Sequence, residues 1–414
     1  MVTFSRFTLA NGLRVLVHED TATPMAAVNL LYDVGARDEH PDRTGFAHLF
    51  EHLMFGGSVN IPNFDAPLQA VGGQNNAFTS NDLTNYYITL PAANIETAFW
   101  LESDRMSGLA FSEKSLDVQR NVVVEEFKQR YLNQPYGDAW LRLRPLAYNV
   151  HPYRWATIGK DPTHIEQAQM ADVKAFFERY YTPGNAILVV AGNVETEAVK
   201  QLAEKWFGPI PCRGKHARRL PAEPEQQEAN REVVHADVPL HHIYLAFKGP
   251  ARLDEDYHAM DLISDLLARG SSSRLYRRLV KDHELFSEIN AYQTGNLDTN
   301  LFIVEGKPLP DVNVASAESA IWAELDRLKS DLAESYELEK VKNRIESTMV
   351  FAEMALLEKA MNLAYFELLG DAEQLNGEVA RYLRVSASDI QRQAQRLFRK
   401  ENSSTLIYLA NPYA

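Results

Sequence analysis

Apolar residues come in short bursts over residues 7–33, at Phe7 and Leu9, then over 14–18, then over 26–32, with the spacing of strands. Asn11-Gly12 between the first two bursts predicts a hairpin turn. A helical period takes over at 45–57, with Thr44 placed as N-cap and Gly56-Gly57 as the stop. A second helical stretch over 65–71 ends at Gly72-Gly73. Gln74–Thr79 reads as a loop, 84–90 as a strand, and 93–106 and 116–131 as helices. A helix over 171–181 closes at Thr182-Pro183-Gly184-Asn185 and leads into Ala186–Gly192, a continuous apolar run that predicts a buried strand.

Between residues 211 and 230 this patterning lapses. Pro211, Gly214, Pro221 and Pro224 mix with charged side chains from Arg213 and Lys215 to Glu228, with almost nothing to bury, as in a linker. The pattern restarts over 233–247, read as one strand, then gives helices, strands around 289–305 and long helices over 314–369. A chain of 414 residues is too long for one ordinary core. The expected division is 1–212, a linker at 213–232, and 233–414. The two sides echo each other. Ala36-Arg37 returns as Ala251-Arg252 at an offset of 215, and Asp172-Val173 through Asn185 returns as Asp389-Ile390 through Asn402 at an offset of 217. The predicted class is α+β, with two homologous domains, each a mixed, mostly antiparallel sheet packed against helices.

Composition acts mainly by exclusion. A content of 45% hydrophobic and 24% charged residues is that of a soluble globular chain. The net charge of −14, with no Lys/Arg-rich run, argues against nucleic acid as a partner. A single cysteine, Cys212, rules out an intrachain disulfide and any cysteine-rich metal site. No apolar run approaches a membrane span, and the first residues lack a basic segment followed by an apolar one. The expected location is the cytoplasm, or the periplasm if a leader has been removed.

Candidate chemistry sits in the first helix. His48 and His52 are four apart, so both imidazoles leave one face about a turn apart, close enough to share a metal ion, and Glu51 sits on that face too. This His-x-x-Glu-His order reverses the commoner His-Glu-x-x-His zinc signature and is the order of the inverzincins. At the offset of 214 these three positions become Leu262, Asp265 and Leu266, so a metal site belongs to the first half alone. Two histidines leave a catalytic zinc one protein ligand short, and a carboxylate is a usual third. Over 117–127, Val122, Val123 and Phe127 mark a buried helix face on which Glu126 also falls, while Glu125 points more to the side. A metal would satisfy Glu126 there, and so would a nearby arginine or lysine.

The chain resembles the M16 (pitrilysin-type) metallopeptidases, specifically the short members built as one pair of homologous domains. The resemblance rests on His48-Leu49-Phe50-Glu51-His52, Asn76-Ala77-Phe78-Thr79 with Thr84 and Tyr86, and Val122 to Phe127. It continues through His151-Pro152-Tyr153, Ile158-Gly159 and Tyr181 to Asn185. It implies one zinc ion per chain on His48, His52 and Glu126, with Glu51 as catalytic base and extended or unfolded peptides as substrates, cleaved inside a chamber. It also implies that Asn76 and Ala77 lie on an edge strand to which a peptide adds; read by itself, Asn76 is equally a turn residue.

Two departures qualify the resemblance. The family often carries a supporting glutamate two turns before the third ligand, where this chain has Gln119. Active members also carry an Arg and a Tyr seven residues apart in the second domain, which stabilise the developing oxyanion. The aligned positions here are Val280 and Ser287, with Arg274, Tyr276, Arg277 and Arg278 close by. The resemblance therefore implies a heterodimer in which a homologous subunit supplies the Arg and Tyr, ahead of a self-sufficient homodimer. A non-catalytic scaffold subunit of the same fold is the rival reading.

Overall fold

The computed structural model describes residues 1–214 and 217–411; residues 215 and 216 of the expected linker and 412–414 of the expected second domain lie outside the described residues. Among the described residues the chain forms two compact units, each with its own sheet, and each gathers discontinuous stretches. The first holds Met1–Phe127, Trp155–Leu220 and Met349–Gly377, and the second Lys128–Arg154, Pro221–Thr348 and Glu378–Ala414.

In the first unit, β1 (Ser5–Thr8), β2 (Arg14–Glu19), β3 (Met25–Tyr32), β4 (Gln74–Thr79), β5 (Thr84–Pro91) and β6 (Ala186–Gly192) form one sheet in the order β1-β2-β6-β3-β5-β4. Only β2 and β6 run parallel. Gly12, at φ 88°, makes the turn from β1 to β2. Every residue of β6 is buried. The helix Leu356–Leu368 covers one face, packing Leu363 and Ala364 against Leu16, Leu31, Ile187 and Val189. The helices Ile95–Ser107 and Thr196–Trp206 also pack on this sheet. A strand covered on both faces reads as an unbroken apolar run, which is why this one was legible.

The second unit repeats the plan. Its strands β7 (Asn230–Ala236), β8 (His242–Gly249), β9 (Phe286–Gln293), β10 (Asn300–Pro308) and β11 (Ser403–Ala410) lie in the order β7-β11-β8-β10-β9, and the parallel pair, β7 with β11, occupies the place of β2 with β6. The helix Ala139–Ala147 covers one face through Leu143 and Ala147. The repeat reaches individual atoms. Asn185 Nδ2 donates to the carbonyls of Asp33 and Tyr180, and Asn402 Nδ2 donates to those of Lys248 and Leu397.

Three local expectations are corrected. The run 233–247 is two strands, β7 and β8, separated around Pro239, whose missing N–H cannot continue a ladder. Gln74–Thr79 is a strand: polar as it is, it pairs in full register with β5, from Gln74 opposite Thr89 to Thr79 opposite Thr84. Val122 is 44% exposed, because the buried side of its helix runs through Leu116, Val123, Val124 and Phe127. No described helix is long and apolar enough to cross a membrane.

Candidate metal centre and active site

The helix Phe46–Leu53 buries Phe46, Ala47, Leu49, Phe50 and Leu53, with the Phe50 ring stacked on Phe176 and Tyr181. This packing leaves His48, Glu51 and His52 on the remaining side, as their spacing requires. The N-cap differs from expectation. Gly45 caps the helix at φ 89°, and the Thr44 hydroxyl is engaged elsewhere, 2.9 Å from His164 Nδ1 and accepting from Lys160 N at 2.9 Å.

The helix Glu113–Phe127 is anchored through Leu116, Val123, Val124 and Phe127, and it brings Glu126 to the two histidines. Glu126 Oε2 lies 3.4 Å from His52 Nε2 and 3.7 Å from His48 Nε2. The two imidazole rings are 4.8 Å apart between centroids and nearly perpendicular. One ligand atom from each of the three residues lies within 4.8 Å of the others, the only such cluster among the described residues. Glu125, the other candidate, is exposed and is not part of the cluster. Gln119 is half-buried two turns before Glu126 on the same helix.

These three donors fit zinc. Atoms bound tetrahedrally at about 2.0–2.2 Å from a zinc ion stand about 3.3–3.6 Å from one another, close to the separations from Glu126 found here. Two imidazole nitrogens and one carboxylate oxygen also form a donor set used by catalytic zinc, which keeps a fourth position open.

Glu51 lies beside that cluster, within reach of the charges of His52 and Glu126, and also touches β4. The Thr79 hydroxyl donates to Glu51 Oε2 at 2.6 Å. Burial pushes the Glu51 carboxyl above its ordinary range; the Thr79 hydroxyl and His52 oppose that rise and the charge of Glu126 adds to it. The sequence gives Thr79 no role of its own, because its stretch reads there as a loop. Read as a strand, period two places Thr79 on the face of Ala77.

The β4 strand is the edge of its sheet, with Asn76 exposed and Ala77 half-buried. The N–H of Ala77 donates to its neighbour's Oδ1, that of Asn76, at 2.8 Å, so it points away from β5. By alternation, the main-chain groups of Asn75, Ala77 and Thr79 face outward along the open edge.

The positions aligned with the family's Arg and Tyr lie in the second unit. Val280 is half-buried within the helical turn Tyr276–Asp282, and Ser287 is exposed on β9, where its hydroxyl donates to the carbonyl of Lys307 at 3.1 Å. Neighbouring Arg274 and Arg278 are held by Glu337 and Glu324 at 2.7 Å each, while Arg277 is exposed.

The family model "Insulinase (Peptidase family M16)" matches residues 14–140, and "Peptidase M16 inactive domain" matches 167–345. The zinc protease PqqE of Helicobacter pylori is 33% identical over 408 residues, covering 97% of this chain and 91% of its own. The chain belongs to peptidase family M16. A solved structure described as a protease from Helicobacter pylori superposes with a TM-score of 0.92 at 31% identity, covering 99% of this chain and 100% of that one. The periplasmic protease PqqL of Escherichia coli shares the fold at a TM-score of 0.79 and 18% identity; 99% of this chain matches 48% of that longer one. The M16 family thus accounts for the duplicated fold, with a peptidase model on the half that holds the cluster and an inactive-domain model across much of the other.

Proposed function

We propose that this chain is a zinc endopeptidase subunit, acting on extended or unfolded peptides with a homologous partner subunit. The observation that carries the reading is the convergence of His48, His52 and Glu126 beside the Thr79-bound carboxyl of Glu51. His48, His52 and Glu126 would hold the ion, and zinc when bound supplies Lewis acidity that activates water and polarises a carbonyl.

Glu51 takes the proton from the attacking water as its oxygen bonds to the scissile carbonyl carbon, and then returns it to the departing amine as the peptide C–N bond breaks and the carbonyl reforms. The Thr79 hydroxyl fixes one Glu51 oxygen and so aims the other. A substrate in extended conformation adds to the open edge of β4 through main-chain hydrogen bonds at Asn75, Ala77 and Thr79, with Asn76 beside it. That mode selects for unfolded chain, since a folded surface seldom offers a free strand.

The partner is inferred from what Val280 and Ser287 lack. Neither offers the donors expected there, and losing one oxyanion donor costs about a hundredfold or more in rate. A longer fold relative of which this chain matches 48% is consistent with two such lengths working together.

The test is metal analysis and peptide hydrolysis with the purified chain, alone and with homologous candidate subunits. About one zinc per chain is expected, with turnover in the assembled pair falling by about 10²–10⁴-fold in Glu51→Gln while zinc stays bound. Full activity in that variant would remove Glu51 from its role. Robust cleavage by the isolated chain would remove the partner, and absence of zinc would favour the scaffold reading.

A further inference from the structure

The metal-ligand helix has only eight residues, and His48 lies in its first turn. The leading amides of a helix have no partners within it, so a short helix frays from that end unless something outside accepts from them. Here the residue that would ordinarily do so cannot. Gly45 takes the left-handed conformation at φ 89°, and a Cβ built on it would stand 2.6 Å from the Ile158 carbonyl oxygen. The preceding Thr44 hydroxyl is engaged with His164 and Lys160.

The acceptor comes from a separate turn. Glu39 Oε2 accepts from Gly45 N at 2.9 Å and Oε1 accepts from Ala47 N at 2.8 Å, with the residue only 7% exposed. The turn that presents it is fixed from several sides. Trp155 Nε1 donates to the Ala36 carbonyl, Tyr180 donates its hydroxyl to the Asp38 carbonyl, and Arg218 forks onto both carboxylate oxygens of Asp38.

The duplicated half supplies an internal comparison. The repeat sets Ala251-Arg252 opposite Ala36-Arg37, and so Asp254 opposite Glu39. Asp254 is exposed and its Oδ2 accepts from Ala251 N within the turn, and the helix that follows, Tyr257–Ala268, carries Leu262 and Leu266 where the histidines would be. The fold forms without the buried cap. The cap accompanies the ligands.

We infer that Glu39 is a positioning residue of the metal site, acting through the Gly45 and Ala47 amides to hold the first helical turn, and with it His48, in binding geometry. The inference rests on the zinc reading above. Glu39→Gln keeps the shape but replaces one acceptor with a donor, and Glu39→Ala removes both acceptors. Zinc affinity, measured by competition with a chelator well below the unfolding temperature on protein checked for native circular dichroism, should fall about 10–100-fold in Glu39→Gln and further in Glu39→Ala. Asp254→Asn, the matching change in the second half, should leave it unchanged. Wild-type affinity in folded Glu39→Gln would overturn the inference, as would failure of both Glu39 variants to fold, which would make the role purely structural. A wild-type chain that binds no zinc would instead overturn the zinc reading itself.

Discussion

The hydroxyl of Thr79 lies 2.6 Å from Oε2 of Glu51 and joins the edge strand to the metal-ligand helix. One atom pair thus ties the proposed peptide-binding element to the proposed base. Thr79→Val keeps the branched shape and deletes the donor. A hydrogen bond to an ionised group contributes about 1.5–3 kcal/mol, so kcat in the assembled enzyme should fall roughly tenfold or more. KM should change little, since the main chain of the edge is untouched. Steady-state kinetics on one peptide would separate the two parameters; a rise in KM with kcat preserved would assign Thr79 to substrate binding instead.

Glu126 and Glu125 are adjacent, yet only Glu126 turns to the histidines. Glu126→Ala should lower zinc affinity by more than the roughly 10–100-fold cost of losing a supporting residue. Glu125→Ala should bind zinc as wild type does. Chelation of the wild-type pair should abolish hydrolysis, and added zinc should restore it. Equal affinities in the two alanine variants would put the third ligand elsewhere.

Arg105 and Glu102 form an ion pair in the first unit with side-chain exposures of 1% and 0%. The guanidinium also lies over the rings of Tyr86 and Phe64, at 4.3 and 4.5 Å from their centroids. Arg105→Ala strands the Glu102 carboxylate in an apolar site, which should cost about 3–5 kcal/mol. The double variant Glu102→Leu with Arg105→Met should recover most of that loss. Denaturant unfolding of wild type and the two variants would show whether the uncompensated charge, rather than lost packing, dominates.

His242 is buried in the second unit, with Nδ1 2.9 Å from the Tyr244 hydroxyl. Burial, with nearby Lys307 adding repulsion, pushes its pKa down to about 3. An unfolded chain holds histidine near pKa 6.5, so between about pH 6.5 and 3 the unfolded state binds one proton more than the folded state. Stability from this group is therefore full above that window and falls as pH drops, by about 1.4 kcal/mol per unit. Between pH 7 and pH 5, zinc-free wild type should lose about 2 kcal/mol more than His242→Gln. Parallel losses on urea unfolding would show that the folded state protonates His242 over the same range.

The legible parts of this fold are those where one physical cause acts locally. Ala186–Gly192 is apolar throughout because both faces are covered, and His48, Glu51 and His52 declare a shared face by spacing alone. The misread parts depend on distant partners. Gln74–Thr79 has no apolar alternation, and its extended form comes from pairing with β5. Thr44 has a capping side chain, but Gly45 takes the cap position and the acceptor is six residues upstream at Glu39. Val122 has a buried-face spacing in the sequence, yet the helix rolls so that Val123 and Val124 go inward. Glu126 shows in the sequence as the glutamate on the apolar face of its helix, with Glu125 to the side, but its closeness to the histidines depends on how two helices pack.

The open edge of β4 carries a liability as well as a use. A row of outward main-chain groups on a strand is a template for any other extended chain, including another molecule of the same protein, and such pairing leads towards fibres. In this strand Gln74, Asn75 and Asn76 supply no apolar surface to reward a permanent neighbour, and the Asn76 amide oxygen already occupies the Ala77 N–H. An arriving strand must displace that side chain before it can dock. The edge therefore discourages lasting self-association while remaining open to a peptide that is cleaved and released.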